Sequence, residues 1–381
     1  MDMTAILPRD WRAAVLLGRI ETADGPTPVL VRSGRLIDIS AYAPTTAQAL
    51  ARPDLAAAEG RDLGAVEDIR IATAWGDDGV LLLSPLDLQC IKASGVTFAV
   101  SALERVIEER ARGDAAAANA IRQGLQERIG GELKDLKPGS AQAETVKAQL
   151  IADGLWSQYL EVAIGPYAEI FTKAPVLASV GAGAAVGVRA DSAWNNPEPE
   201  VVIVCDPAGR PVGAGLGNDV NLRDIEGRSA LLLGKAKDNN ASASVGPFIR
   251  LFDADFTMDD VRAATVRLEV EGQDGFVMTG ESSMRLISRD PEDLVAQTLS
   301  AHQYPDGFAL YLGTMFAPVD DRGEAGKGFT HKVGDRVRVS SEKLGLLENV
   351  VATCDQAPAW TLGVMGLMRN LAARGLLGGA A

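Results

Sequence analysis

The chain is poor in the side chains that most often carry chemistry. Its 381 residues include two histidines, His302 and His331, and three cysteines, Cys90, Cys205 and Cys354. So few histidines exclude a histidine-rich zinc site, and neither lies near the GxSxG elbow of a serine hydrolase. The cysteines lie far apart, form no CxxC and are odd in number, so reduced thiols and a cytoplasmic setting are expected rather than disulfides. No uninterrupted apolar run reaches the roughly 18 residues of a membrane span. The opening MDMTAILPRDWRAAVLLG, with acids and Pro8 ahead of a short apolar run, does not read as a signal peptide. Basic charge is also scarce. With 37 Lys and Arg against 51 Asp and Glu, the formal net charge is -14. That balance argues against a nucleic-acid or anionic-membrane surface and leaves room only for a local basic pocket. A Walker A motif is absent, and GAGAAVG at Gly181 to Gly187 lacks the GxGxxG spacing of a dinucleotide loop.

What the chain does have is core. Hydrophobic residues make up 47% of it, with 40 glycines, which fits a globular protein of one large domain with a smaller one, or of two domains. Residues 13 to 40 read as short strands, with a turn at Gly34 and Arg35. The alanine-rich stretch 44 to 68 reads as helix interrupted at Pro53 and Gly60, and the segment to about residue 100 returns to strand character. A small N-terminal subdomain over 1–85 and a main domain over 86–381 are expected. Within the latter, about 101–164 reads as a helical insertion or a lid, with Leu103, Val106, Ile107 and Ala111 at helical spacing. The charges of that first helix, Glu104 to Arg112, read equally as an ordinary solvated face. Further on, VRAATVRLEVEGQDGFVMTGESS reads as a hairpin. Asp290 and Pro291 open a helix, GDRVRVSSEKLGLLENVVAT reads as a β hairpin or roll, and TLGVMGLMRNLAARGLLG reads as a packed or subunit-contacting helix.

The most informative stretch runs from Gly187 to Pro247. Its NPEPEVVIV places Glu198 and Glu200 two residues apart at the start of an apolar β run, so both carboxylates fall on one strand face. Asp219 follows in GLGNDVNLRD, beyond a glycine-rich turn. Three such acids suit a hard divalent cation, since carboxylates crowded without one repel or take up protons. An acidic solvated turn is the plainer alternative for an ExE beside Pro and Asn.

Taken in order, these pieces resemble the fumarylacetoacetate hydrolase superfamily. The likeness runs from about residue 85 to 355. It rests on Glu198 and Glu200, on Gly217 to Val220 with Arg223 and Asp224, on Lys237 ahead of Gly246 and Pro247, on Gly313 and Thr314, and on Gly334 to Val339. The resemblance implies an α+β fold built on a mixed β roll with a small N-terminal α/β subdomain. It further implies Mg2+ or Mn2+ held by Glu198, Glu200 and Asp219, a homodimer or higher homo-oligomer, and a substrate whose 2-oxo-acid group chelates the metal. Lys237 matches the family's active-site lysine, with a salt bridge to a metal carboxylate as its structural alternative.

One departure bears on the reaction. Where hydrolases of the family carry a GLNYxxHxxE-like segment, this chain has GVTFAVSALE. Ser101 therefore stands at the histidine that helps activate water, and Glu104 keeps the acid. The whole chain is most similar to the 2-keto-3-deoxy-pentonate dehydratases, on the pieces VTFAVSALERVIEER, NNPEPE, GKAKDNNASASVGP and HQYPDGFALYLGTMFAP. That likeness implies dehydration of a 2-keto-3-deoxy-pentonate, derived from D-xylonate or an arabinonate, to 2-oxoglutarate semialdehyde. The alternatives are an acylpyruvate-type C–C hydrolase and a noncatalytic metal-binding protein. The roles then expected are Lys237, its pKa lowered, as base, and Glu108 or Glu109 as acid or relay. Arg110, Ser101, Thr314 and Asp306 are expected at the substrate. For Glu108, Glu109 and Arg110 a solvated helix, and for Asp306 a turn cap, explain the residues as well.

Overall fold

The computed structural model describes residues 1–112, 114, 117, 118, 121, 122, 136–316, 318, 320–322 and 328–377. The first strands are β1 (Leu16–Thr22), β2 (Gly25–Arg32), β3 (Arg35–Asp38), β4 (Arg61–Ala65), β5 (Leu82–Leu83) and β6 (Cys90–Gly95). After the helical region come β7 (Glu169–Ala174), β8 (Ala185–Val188), β9 (Pro199–Cys205), β10 (Pro211–Asp219) and β11 (Ala243–Leu251). The C-terminal part adds β12 (Thr265–Glu271), β13 (Val277–Ser283), β14 (Phe308–Tyr311), β15 (Arg336–Ser341) and β16 (Gly345–Thr353).

Two sheets result. The larger runs β4-β3-β2-β1-β11-β10-β9-β14-β6-β7, with β5 added on β1, and the smaller runs β13-β12-β15-β16-β8. Pairing is antiparallel except for β14 with β6 and β16 with β8. The sequence PEVVIVC of β9 is buried at every position, as a β-branched run must be when both faces of a central strand are covered. The main core, which includes Val201, Ile203, Leu216, Phe248 and Leu347, lies on one face of this strand, while Val202, Val204, Val245 and Tyr311 pack on the other. β1 pairs with β11, so the expected N-terminal subdomain shares the large sheet with the rest of the chain.

The helices are α1 (Thr46–Leu50), α2 (Ala99–Ala111), α3 (Ala141–Ala152), α4 (Gln158–Ile164), α5 (Arg223–Glu226), α6 (Leu233–Lys237), α7 (Met258–Ala263), α8 (Pro291–Leu299) and α9 (Val364–Ala373). Their starts follow local chemistry. Ser140, Ser157 and Asp290 accept backbone N–H groups of the first turns of α3, α4 and α8, and Pro291 fills the first position of α8, where no N–H is needed. The expected helical insertion is present as α2, α3 and α4, which bury Val106, Ile107, Leu150 and Leu160 together. Its middle, over residues 123–135, lies outside the described residues. Among the described residues no helix is long and apolar enough to cross a membrane.

The reading of 44 to 68 as helix needs correction. Only Thr46–Leu50 is α-helical, and residues 61–65 form β4, paired with β3. Pro53 and Gly60 cut the alanine-rich stretch into pieces too short to hold a helix alone. The open edge of β3 then captures the last piece, and Arg35 grips Asp62 at 2.6 and 2.9 Å.

Candidate metal centre

The β9–β10 hairpin assembles the acids. Glu200 sits opposite Gly217 and Pro199 opposite Asn218, so Glu198, Glu200 and Asp219 come to one face at the hairpin's open end. Backbone pairing fixes that end. Asp219 N–H donates to Glu198 O at 3.0 Å, Asn196 and Asn221 exchange two bonds of 3.0 Å, and Glu198 N–H donates to Asn218 Oδ1 at 3.2 Å. One carboxylate oxygen from each of Glu198, Glu200 and Asp219 lies within 4.8 Å of the other two. All three residues are buried. Gly217 has to be glycine, because a Cβ there would stand 2.4 Å from the Tyr311 ring.

Each carboxylate has a different environment. Glu198 Oε1 receives Arg105 Nη2 at 2.5 Å, and its Oε2 receives Lys237 Nζ. Burial would raise its pKa, but Lys237 and Arg105 outweigh burial and take it down to about 2. Asp219 is shared between two lysines, with Oδ2 at 3.0 Å from Lys237 Nζ and Oδ1 at 2.7 Å from Lys173 Nζ. Among the described residues, Glu200 receives only the N–H of Gly313, at 2.6 Å. That glycine has φ 98°, and a Cβ on it would collide with Thr97. Burial, then the charges of Asp219 and Glu198, push the Glu200 carboxyl well above the usual range. A hard divalent cation at this point reverses that penalty, since it favours the ionised form of all three acids. The donor set and its charge therefore fit such an ion.

Around the acids lies a small cleft, lined also by Arg105, Glu169, Phe171, Glu226, Lys237 and Thr314. Arg105, on α2, bridges Glu198, Glu108 at 2.5 Å and Glu226 at 2.9 Å. Arg223 Nε approaches the other oxygen of Glu108 at 3.1 Å. Glu169 opens β7, and burial, reinforced by the charge of Glu226, pushes its carboxyl up to about 7.

The residues singled out by sequence fall into two groups. Glu198, Glu200, Asp219, Lys237, Thr314 and Ser101 meet at the cleft. Ser101 Oγ is occupied at the start of α2, accepting from Phe98 N–H at 3.2 Å and donating to Phe98 O at 2.8 Å. Glu108 stands one link behind, reaching Glu198 through Arg105. The others point elsewhere. Glu109 accepts from Gln158 at 2.9 Å and from Ser157. Arg110 is exposed, with Nη2 3.4 Å from Gly154 O. Asp306 is exposed in the turn closed by Gly307 N–H on Tyr304 O, before β14.

Two expectations change. Arg105, not Arg110, is the arginine that lines the cleft, because the buried face of α2 carries Ala102, Arg105 and Glu108 while Arg110 falls on the outer face. Lys237 does not have a lowered pKa. Burial alone would lower it, but Asp219 and Glu198 outweigh burial and raise it above the usual lysine range. Glu169, Arg105, Lys173 and Glu226 were not singled out by sequence as site residues. A signal existed for two of them: Glu169 and Lys173 recur at even spacing in EIFTK, the period of one strand face.

No family model matches the chain. Over 195 residues it is 30% identical to a probable 2-keto-3-deoxyxylonate dehydratase of Haloferax volcanii, a match covering 51% of this chain and 64% of that protein. Over 158 residues it is 30% identical to 2-dehydro-3-deoxy-D-arabinonate dehydratase of Saccharolobus solfataricus, covering 41% of this chain and 51% of that one. The matches thus span about half to two thirds of those relatives. Among solved structures, 2-keto-3-deoxy-D-arabinonate dehydratase in its apo form superposes with a TM-score of 0.64 at 20% identity, over 89% of this chain and 99% of that one. A structure of 2-keto-3-deoxy-D-arabinonate dehydratase complexed with magnesium and 2,5-dioxopentanoate gives 0.63 at 20% identity, over 89% and 99% of the two chains. The 5-carboxymethyl-2-hydroxymuconate delta-isomerase of Mycobacterium smegmatis gives 0.52 at 20% identity, over 89% and 98%. The chain thus shares the fold of these solved structures along most of its length, and over part of its length its sequence is similar to 2-keto-3-deoxy-pentonate dehydratases.

Proposed function

We propose that this protein removes water from a 2-keto-3-deoxy-pentonate to give 2,5-dioxopentanoate, with Mg2+ or Mn2+ held by Glu198, Glu200 and Asp219. The observation that carries the reading is the convergence of those three buried carboxylates with Lys237 and Glu169 in one cleft. The curated relatives are a dehydratase and a probable dehydratase of this substrate class, and a structural neighbour at 20% identity was solved with magnesium and 2,5-dioxopentanoate. When bound, the divalent ion polarises the 2-oxo-acid carbonyl and makes the C3 protons acidic.

The chain's own groups do the rest. Glu169, with its carboxyl pushed up to about 7, is a stronger base than an ordinary carboxylate and takes a proton from C3. Lys237 carries a proton held by two carboxylates, and gives it to the hydroxyl oxygen leaving C4, which departs as water. Glu169 then returns its proton to C3 while the amine of Lys237 takes one from C5 and regains its charge, and the resulting C4–C5 enol tautomerises to the aldehyde. The net change is the loss of one water. Arg105 faces the cleft as a fixed cation for a substrate oxygen, the role that the sequence suggests for Arg110. Thr314, whose hydroxyl donates to Phe316 O at 3.0 Å, has lone pairs left to accept from the substrate. With Ser101 committed to its helix start, the site lacks the imidazole that a hydrolase of the superfamily uses on water.

We place the protein in the cytoplasm, on its three free thiols. Assembly as a homodimer or higher oligomer would cover the exposed apolar residues Trp360, Val364, Met365 and Met368 in and just before α9. The test of the reaction is to give purified protein and Mg2+ the 2-keto-3-deoxy-pentonates of both C4 configurations and assay the five-carbon semialdehyde. Product from at least one is expected, and product from neither removes the proposal.

A further inference from the structure

We infer that Lys173 is a positioning residue: its ammonium sets Asp219 and Lys237 against each other, so that the cation site and the proton-bearing lysine share one geometry. The inference rests on the cation site of the proposed function, and it adds a residue that does not line the cleft. Lys173 is on β7 and wholly buried. Its Nζ stands 2.7 Å from Asp219 Oδ1, donates to Lys237 O, and lies 3.3 Å from both Val220 O and Ser242 Oγ. Those partners come from three separate places: the end of β10, the end of α6, and the approach to β11. A buried ammonium with this set of acceptors has its hydrogen-bonding capacity met and its charge opposed by Asp219.

The consequence follows from how Asp219 is divided. One oxygen belongs to Lys173 and the other to Lys237. With Lys173 removed, no described residue holds the first oxygen, and the carboxylate is free to turn about its remaining contact with Lys237 and out of its arrangement with Glu198 and Glu200. The backbone of Lys237 loosens at the same time, because its carbonyl loses one of two donors, the other being Ser242 Oγ at 2.7 Å. A lysine serving only to fill and neutralise the core would affect stability without touching cation affinity.

The experiment measures Mn2+ binding by calorimetry, turnover with Mg2+, and thermal melting in Lys173→Met, Lys173→Arg and Ser242→Ala. Lys173→Met keeps length and loses charge and donors. About 10- to 100-fold weaker Mn2+ binding is expected from it, with a comparable fall in kcat and KM within about threefold. Lys173→Arg, which keeps the charge but not the tetrahedral placement of donors, is expected not to restore either. Ser242→Ala leaves every metal ligand and both lysines in place, and is expected to lower kcat by about 3- to 10-fold. Unchanged or tighter Mn2+ binding in a folded Lys173→Met protein overturns the inference. Should that variant fail to fold, wild-type kcat in Ser242→Ala overturns it instead. A wild-type protein that binds Mn2+ but turns over no pentonate refutes the reaction and leaves the Mn2+ comparison to decide on Lys173.

Discussion

Two arginines in this protein are each surrounded by three glutamates, and they do different things. Arg105 pairs with Glu108, Glu198 and Glu226. Arg338, on the smaller sheet, pairs with Glu269, Glu271 at 3.0 Å and Glu348 at 2.7 Å. The side chain of Arg105 is 9% exposed and that of Arg338 is 27% exposed. At Arg338 water and salt screen the pairs with Glu269 and Glu271, while Glu348 is buried and is also held by Arg336, and the cluster ties neighbouring strands β12, β15 and β16 together. At Arg105 the charges lie in a low-dielectric interior, and one of the three carboxylates is also a ligand of the proposed cation. Identical composition thus gives a surface clasp in one place and part of the proposed reaction site in the other.

Removing the shared cation is the harshest way to break that contrast. Glu200→Ala is expected to abolish Mn2+ binding and lower kcat by at least about 1000-fold, read by calorimetry and product assay. Full activity with undiminished affinity would mean that the carboxylates are merely structural. Arg105→Met comes next. Leaving Glu108, Glu198 and Glu226 buried without it is expected to cost about 3 to 5 kcal/mol of unfolding free energy, measured in denaturant. It is also expected to lower kcat/KM by about 100-fold.

Glu169 sharpens the comparison through pH. As the proposed base it would work in its ionised form, populated above about 7, so log kcat/KM should climb as pH rises to that point and level off above it. Glu169→Gln should remove both the activity and the inflection, whereas an unchanged profile in that variant would assign the proton transfer elsewhere. The smallest effect is reserved for the surface clasp. Arg338→Gln is expected to change stability by about 0 to 1 kcal/mol and leave kcat/KM at the wild-type value; a loss equal to that of Arg105→Met would erase the distinction drawn above.

The hairpin acids were legible in the sequence because their placement is local. Glu198 and Glu200 share a face by strand period alone, the glycines of GLGND mark where β10 must pass close to other groups, and Asp219 lies only one hairpin away. The start of α8 at Asp290 and Pro291 was legible for the same reason. Glu169 was not, since it reaches the cleft only when β7 pairs with β6, and β6 in turn with β14. On α2 the helical period identified the apolar stripe but not that its charged neighbours Arg105 and Glu108 would be buried against α5 and the hairpin. The shift of Lys237 could not be signed from sequence at all. It depends on which charges come within reach, and there the carboxylates outweigh Arg105. Residues 61–65 show the opposite limit, where local alanine content lost to an available strand edge.

The central claim is that the hairpin carboxylates hold a divalent ion and that this ion serves dehydration. The direct measurement strips the protein with a chelator, returns Mg2+ in steps, and follows formation of 2,5-dioxopentanoate from 2-keto-3-deoxy-pentonate at each step. Activity that is absent after stripping and returns with Mg2+, saturating at one ion per chain, is the predicted result. Turnover that persists after complete stripping, or that never appears at any Mg2+ concentration, would contradict it.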